Sequence, residues 1–291
     1  MSPILPPLVS ADDLAAAADR PDVLIVDAST RLATTAEGEP YQVTPDIEGF
    51  RTAHVPGAVF ADIPGAFSDP AGRFSLTVPT AEQFAAAAGA LGIGAGTHVV
   101  AYDTAGNAWA TRFWWLLRAF GHDAVSVLDG GLAAWTAAGH PTESGEPAPA
   151  SATFTPRPRP ELIATTDEVR RLSTGDGPGV VVNALDPATY RGEQEISPYS
   201  RRGRIPGSTN LPLFELLDPA TGRFLDKDGL AAKLHQAGIL DAERTVTYCG
   251  GGIAATLPAF AAYVVSGAEV AVYDGSLSEW TADATLPVET G

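Results

Sequence analysis

Cys249 is the only cysteine among 291 residues, and Gly250, Gly251 and Gly252 follow it, then Ile253, Ala254 and Ala255. The preceding run Thr245-Val246-Thr247-Tyr248 reads as a short buried strand, and Ala254 to Val265 as an apolar helix. Cys249 therefore opens a glycine loop at a strand–helix junction. Such a loop aims several backbone N–H groups at one point and adds the positive end of a helix dipole. A thiol held there gives up its proton more readily than a free one and becomes a nucleophile. The plainer alternative is a small apolar core residue. Three consecutive glycines at the junction favour the nucleophile.

The elements that must position this loop occur twice. His54-Val55-Pro56-Gly57-Ala58 is answered by Arg204-Ile205-Pro206-Gly207-Ser208, and Leu91-Gly92-Ile93 by Ala237-Gly238-Ile239. His98 to Tyr102 is echoed by Thr245 to Tyr248. Asp129-Gly130-Gly131-Leu132-Ala133-Ala134-Trp135 returns as Asp274-Gly275-Ser276-Leu277-Ser278-Glu279-Trp280. Ordered matches at a nearly constant separation mark a duplicated domain. Residues 1–143 form the first unit, 144–160 a linker, and 161–291 the second unit that carries the nucleophile. The stretch Pro141 to Pro160, rich in Pro, Ala, Ser and Thr, is expected to lie extended on the surface.

Within each unit, short apolar runs alternate with helical ones. Val23 to Val26, Val99 to Tyr102, Ala124 to Leu128, Val180 to Val182 and Val270 to Tyr273 lack the period-two alternation of a half-exposed strand. Thr80-Ala81-Glu82-Gln83 has a capping-box pattern opening an Ala-rich helix, and Trp109 to Phe120 is a second helical run. The predicted class is α/β: two tandem units, each a mainly parallel sheet with helices on both faces. Ligands of such sheets bind beyond the carboxyl ends of the strands, where Cys249 falls. In the first unit Tyr102-Asp103-Thr104-Ala105-Gly106 takes the place of the cysteine loop. Asp103 cannot carry a sulfur, so that unit supports the site.

Composition narrows the partners. A net charge of −17 argues against nucleic acid and anionic membranes, which need clustered cations. One cysteine excludes an intramolecular disulfide, and the histidines at 54, 98, 122, 140 and 235 have no zinc spacing. No metal or cofactor is expected. Met1 to Pro7 lacks a basic region and a continuous apolar region, so no secretory signal is expected, and no apolar run is long enough to span a membrane. A cytoplasmic location, where a single reactive thiol stays reduced, is the expectation.

With these motifs the chain resembles the two-domain rhodaneses, the thiosulfate and 3-mercaptopyruvate sulfurtransferases, from about Val23 to Trp280. The resemblance rests on residues 54–58, 129–135, 274–280 and the Cys249 loop. It implies two rhodanese-like domains and a thiolate that takes the outer sulfur of a donor, becomes a persulfide, and passes that sulfur to cyanide or a thiol. Gly250, Gly251, Gly252, Ile253 and Ala254 would form the active-site loop. His54 matches the family histidine and is either an acid–base group or the anchor of a turn. Cys249-Gly250-Gly251-Gly252 lacks the two cations of the thiosulfate enzymes, which favours 3-mercaptopyruvate with thiosulfate next. It also lacks the serine of the mercaptopyruvate enzymes, because Gly251 stands there. Relatives grip the donor anion with an arginine where this chain has Thr189. Arg191 and Arg204, with Arg201 and Arg202 nearby, are the candidates to replace it.

The same residues fit other readings less well. Phosphatases and arsenate reductases of this fold need an arginine six positions after the cysteine, where this chain has Ala255. A Cys-His-Asn hydrolase needs a base for which the glycine loop gives no reason. A non-catalytic rhodanese-like binding or regulatory module is the remaining alternative. The partners expected are a small-molecule donor and a thiol or cyanide acceptor, served by a monomer, because the cleft between two units of one chain needs no second copy.

Overall fold

Runs of β-branched residues with no polar face can be satisfied only in a sheet covered on both sides, and the computed structural model shows two such sheets. It describes residues 5–33, 36–37, 39 and 41–291. Met1 to Ile4, part of the segment considered above as a signal, lie outside the described residues. The first unit contributes β1 (Leu8–Val9), β2 (Val23–Asp27), β3 (Thr30–Ala33), β4 (Gln42–Pro45), β5 (Val59–Phe60), β6 (His98–Tyr102) and β7 (Val125–Leu128). The second contributes β8 (Gly179–Asn183), β9 (Thr209–Asn210), β10 (Arg244–Tyr248) and β11 (Ala271–Val272). The first sheet runs β1-β7-β6-β2-β5 and the second β11-β10-β8-β9, every pair parallel.

The duplication is visible at the level of single bonds. Asp27 pairs with Tyr102 and Asn183 with Tyr248 in the same register. Val55 N donates to Tyr102 Oη at 3.2 Å, and Ile205 N to Tyr248 Oη at 3.1 Å. Trp135 Nε1 donates to Pro141 O and Trp280 Nε1 to Pro287 O, each at 2.7 Å. The edge strand β1 has no full counterpart; a single parallel bridge between Ile163 and Val272 stands in its place.

Alternate residues of each central strand face opposite layers. Val99 and Ala101 pack with Phe84, Phe113 and Phe120, whereas Val100 and Tyr102 pack with Leu14 and Trp135. In the second unit Val182 packs with Leu230, Leu234 and Phe260, and Val181, Val246 and Tyr248 with Val169 and Trp280. Helices therefore cover both faces of both sheets. The capping box at Thr80 forms as predicted, with Gln83 N donating to Thr80 Oγ1 at 3.2 Å and Thr80 N to Gln83 Oε1 at 2.8 Å. Gly92, with φ +92°, follows the end of that helix (Ala81–Ala90).

The helices Ala108–Ala119 and Thr256–Ser266 pack on each other between the units. Trp114 sits edge-on to Phe260 at 5.0 Å, and Thr111 Oγ1 meets Thr256 Oγ1 at 2.9 Å. The core continues from one sheet to the other through this contact. Each large side chain buried there contributes roughly 1.5–3 kcal/mol. The connecting segment is exposed over most of its length, as expected, but it is tied down. Phe154 is buried against Phe84, and Ala152 N and Arg157 N donate to Gly89 O and Phe120 O.

One element was not foreseen: the antiparallel pair β3–β4, which leaves the first sheet after β2 and stands beside the second unit's loop.

Candidate active site

Strand β10 ends at Tyr248, one residue before the cysteine, as the sequence predicts. The helix begins at Thr256, two residues later than predicted, because Ala254 and Ala255 are spent in the turn that enters it. Thr256 N and Leu257 N make tight bonds to Ile253 O and Ala254 O, at 3.0 and 3.2 Å.

The loop's carbonyls are engaged by the surrounding protein. Cys249 O accepts from Leu277 N at 3.1 Å; Gly250 O accepts from Ser278 N at 3.0 Å and Ser278 Oγ at 2.8 Å. Gly252 O accepts from Arg112 Nη1 at 3.2 Å, and Ala255 O from Thr247 Oγ1 at 2.8 Å. Two amides, those of Cys249 and Gly252, donate to Ser276 Oγ at 3.0 and 3.2 Å. The amides of Gly250, Gly251, Ile253, Ala254 and Ala255 have no oxygen or nitrogen acceptor among the described residues. The helix behind them has no side-chain N-cap.

The first unit shows what such a cradle accepts. Gly106 and Gly252 hold the same place in the two loops, with φ of +74° and +78°. Asp103, at the cysteine's position, takes Ala105 N and Asn107 N on Oδ1 at 2.8 and 3.0 Å. Its Oδ2 takes Trp109 N and Ala110 N, each at 2.9 Å. Burial raises the Asp103 pKa, and these four amides oppose that rise. Two N–H donors on each oxygen suit an acceptor-only carboxylate. The matching amides in the second loop include those of Gly251, Ile253 and Ala255, which remain without an acceptor.

Cys249 is buried, at 2 % exposure, and lies at the floor of a cleft of about 1060 Å³. Gly250, Gly251, Ile253 and Ala254 line the cleft with it; Gly252 is turned toward Ser276 and Arg112. The walls come from both units: Arg31 and Leu32 of β3, Tyr41 and Val43, Arg73 to Leu76, and Trp109 from the first; Asp186, Tyr199, Phe214 and Ser278 from the second. The Tyr199 hydroxyl is buried without a hydrogen-bond partner.

His54, Arg191 and Arg204 are not among the lining residues. His54 is fully buried in the first unit, with Nδ1 at 2.7 Å from Phe50 O, Nε2 at 3.3 Å from Glu143 Oε1 and its ring stacked on Phe50. Arg191 pairs with Glu193 at 2.8 Å. Arg204 pairs with Glu289 at 2.9 Å, lies over the Tyr190 ring, and repeats His54's backbone bridge by pairing with Glu289 as His54 does with Glu143. Arg201 is held by the carbonyls of Trp280, Thr281, Asp283 and Leu286, and Arg202 by those of Gln194 and Glu195 and by an ion pair with Glu37 at 2.8 Å.

The lining arginines, Arg31 and Arg73, were missed. Arg31 pairs with Asp46 at 2.5 Å. Arg73 stacks on the Phe74 ring and makes no ion pair among the described residues. A signal existed: Asp69-Pro70-Ala71-Gly72-Arg73-Phe74 is repeated as Asp218-Pro219-Ala220-Thr221-Gly222-Arg223-Phe224. Arg223 is bound to Asp129 at 3.1 Å. The corresponding acid, Asp274, is taken instead by Arg112 at 2.6 Å and Val78 N at 2.8 Å, which leaves Arg73 to the cleft. Thr189 donates its hydroxyl to Asp186 at 2.6 Å. Burial raises the Asp186 pKa, but this hydroxyl and the neighbouring amides outweigh it and hold the carboxyl below its usual range.

The family model described as the Rhodanese-like domain matches residues 10–138 and again 165–283. The chain belongs to the rhodanese family. The 3-mercaptopyruvate sulfurtransferase of Escherichia coli (strain K12) is 34% identical over 282 residues, 97% of each chain. That of Homo sapiens is 37% identical over 241 residues, 79% of this chain and 78% of its own. The crystal structure of SseA from Escherichia coli, described as a 3-mercaptopyruvate sulfotransferase of rhodanese fold, superposes with a TM-score of 0.78. It is 30% identical, and the match covers 94% of this chain and 99% of SseA. This rhodanese is a sulfurtransferase of the thiosulfate/3-mercaptopyruvate type. Among its described residues no helix is long and apolar enough to cross a membrane.

Proposed function

We propose that Cys249 takes a sulfane sulfur from a small anionic donor, 3-mercaptopyruvate before thiosulfate, holds it as a persulfide, and delivers it to cyanide or a thiol. The observation that carries this reading is the pair of cradles. A persulfide built on Cys249 extends Cβ–Sγ–S, the same number of bonds as Cβ–Cγ–Oδ of Asp103, with a longer and larger end atom. Four amides hold the Asp103 carboxylate; of their counterparts around Cys249, those of Gly251, Ile253 and Ala255 lack an acceptor among the described residues and could receive the terminal sulfur. Fixed N–H dipoles in a water-poor site stabilise such an anion without reorganising.

Arg73 supplies the positive charge for the donor's carboxylate or sulfonate, in place of the arginine that Thr189 replaces. His54, Arg191 and Arg204 belong to the scaffold, because their polar atoms are committed to neighbours outside the cleft. A monomer suffices, since one chain supplies every wall of the cleft. The single cysteine suits a reducing cytoplasm, and the acidic chain suits small-molecule partners rather than nucleic acid.

Intact-mass measurement after incubation with each donor tests the proposal. The wild type is expected to gain the mass of one sulfur atom, and Cys249→Ser to gain none. Should neither donor add sulfur to the wild type, the reading fails and a binding module takes its place.

A further inference from the structure

Tyr199, in the wall of the cleft, carries a buried hydroxyl that makes no hydrogen bond among the described residues. The side chain is 95 % buried, with 5 % exposure. A buried hydroxyl left in that state costs roughly 1–3 kcal/mol, so its retention calls for a ligand that satisfies it. The position is close to the nucleophile. A methyl group built on Gly250, the residue after Cys249, would lie 2.2 Å from Tyr199 Oη. Tyr41 meets the Tyr199 ring edge-on, with centroids 6.3 Å apart, and its hydroxyl faces that of Tyr199 without making a hydrogen bond to it. Two other candidates are ruled out or engaged: His54 does not line the cleft, and the Ser278 hydroxyl beside Gly251 already donates to Gly250 O at 2.8 Å.

We infer that Tyr199 is the proton carrier of the sulfur-abstraction step, moving the donor's thiol proton to the carbon fragment that leaves. This deepens the sulfurtransferase reading and rests on it. The Cys249 thiolate attacks the sulfur of 3-mercaptopyruvate; the S–S bond forms as the C–S bond breaks. The bonding pair stays with the leaving fragment, which is the enolate of pyruvate. Tyr199 gives its proton to that enolate, and the persulfide, still carrying the donor's thiol proton, returns a proton to the tyrosinate. The balance is 3-mercaptopyruvate plus thiolate giving pyruvate plus persulfide anion, with Tyr199 unchanged. Burial, foremost, holds the Tyr199 pKa well above that of a free tyrosine, so the hydroxyl keeps its proton until a strong base such as an enolate forms beside it.

Thiosulfate provides the discriminating control, because its leaving group, sulfite, is a stable anion that needs no proton. Tyr199→Phe removes one oxygen and keeps the ring. The expected result is a fall of roughly 10²-fold in the rate of sulfur loading from 3-mercaptopyruvate, with loading from thiosulfate unchanged. A second variant adds Gly251→Ser to Tyr199→Phe. The nearest atoms to a Cβ at Gly251 are 4.0 Å away, so the serine fits and offers a replacement hydroxyl to the cleft. Partial recovery with 3-mercaptopyruvate is expected, and this variant decides the matter should thiosulfate prove a poor donor. Tyr199→Phe that leaves the 3-mercaptopyruvate rate intact, or lowers both donors equally, would falsify the assignment. A wild type that loads from thiosulfate alone refutes it while leaving the sulfurtransferase reading standing. A wild type that loads from neither removes that reading itself.

Discussion

At the scale of single residues, the three glycines after Cys249 are glycine for different reasons. Gly250 faces the Tyr199 hydroxyl, and any Cβ there collides with it. Gly252 has φ of +78°, and a Cβ would sit 2.8 Å from Asp274. Gly251 has open space, so its missing side chain is a matter of chemistry rather than fit. Charge follows the same logic. Asp186, bound by Thr189, places a carboxylate in the cleft, and Arg73, from the first unit, is the charge proposed to meet the donor. Arg73→Ala is therefore expected to raise KM for either donor while leaving kcat nearly unchanged. A hydrogen bond to a charged group contributes roughly 1.5–3 kcal/mol, so kcat/KM should fall about ten- to a hundredfold. Steady-state kinetics with both donors check this; an unchanged KM removes Arg73 from donor binding.

Among the elements, the decisive one is the turn after β11. In the first unit Gly131 occupies it with φ +57°, and a Cβ would lie 2.0 Å from Asp103 O. In the second unit Ser276 holds the same left-handed conformation, with φ +48°. Its hydroxyl donates to Tyr273 O at 2.7 Å and accepts from the Cys249 and Gly252 amides. Ser276 thus fixes both ends of the cradle and tolerates backbone strain to do so. Ser276→Ala strands those amides in a buried place, at a cost of roughly 1–3 kcal/mol. A lower urea midpoint and slower sulfur loading are expected together. Ser276→Gly relieves the strain but not the lost bonds, so it should recover stability more than loading rate; equal recovery of both would deny Ser276 its part in shaping the loop.

For the whole molecule, the two units clasp each other through reciprocal acids. Asp129 of the first accepts from Phe224 N of the second at 2.8 Å, and Asp274 of the second accepts from Val78 N of the first at 2.8 Å. Arg112 joins the second clasp to the site. It is fully buried, binds Asp274 at 2.6 Å and Leu76 O at 2.6 Å, and reaches Gly252 O. Leu76 itself is held at φ +66° on the cleft rim. Arg112→Ala leaves Asp274 without its charged partner near the unit boundary, and breaking such a pair costs roughly 3–5 kcal/mol. Chemical denaturation should show that loss, accompanied by weaker sulfur loading as the loop and rim loosen. A variant as stable as the wild type would mean that the clasp is held by packing alone.

The α/β class, the duplication, the position of Cys249 at a strand end and the capping box at Thr80 were legible in the sequence. Each follows from local preferences: apolar period, glycine placement, side-chain caps and repeated motifs act over a few residues and leave a local trace. The antiparallel pair β3–β4 was not legible, nor were the settings of His54, Arg73 and Tyr199. Their partners lie far along the chain: Glu143 for His54, Gly250 for Tyr199, and for Arg73 an acid that Arg112 claims first. A motif states which side chains are available. Which of them reach the sulfur depends on how two units close on one another, and only three-dimensional packing sets those distances.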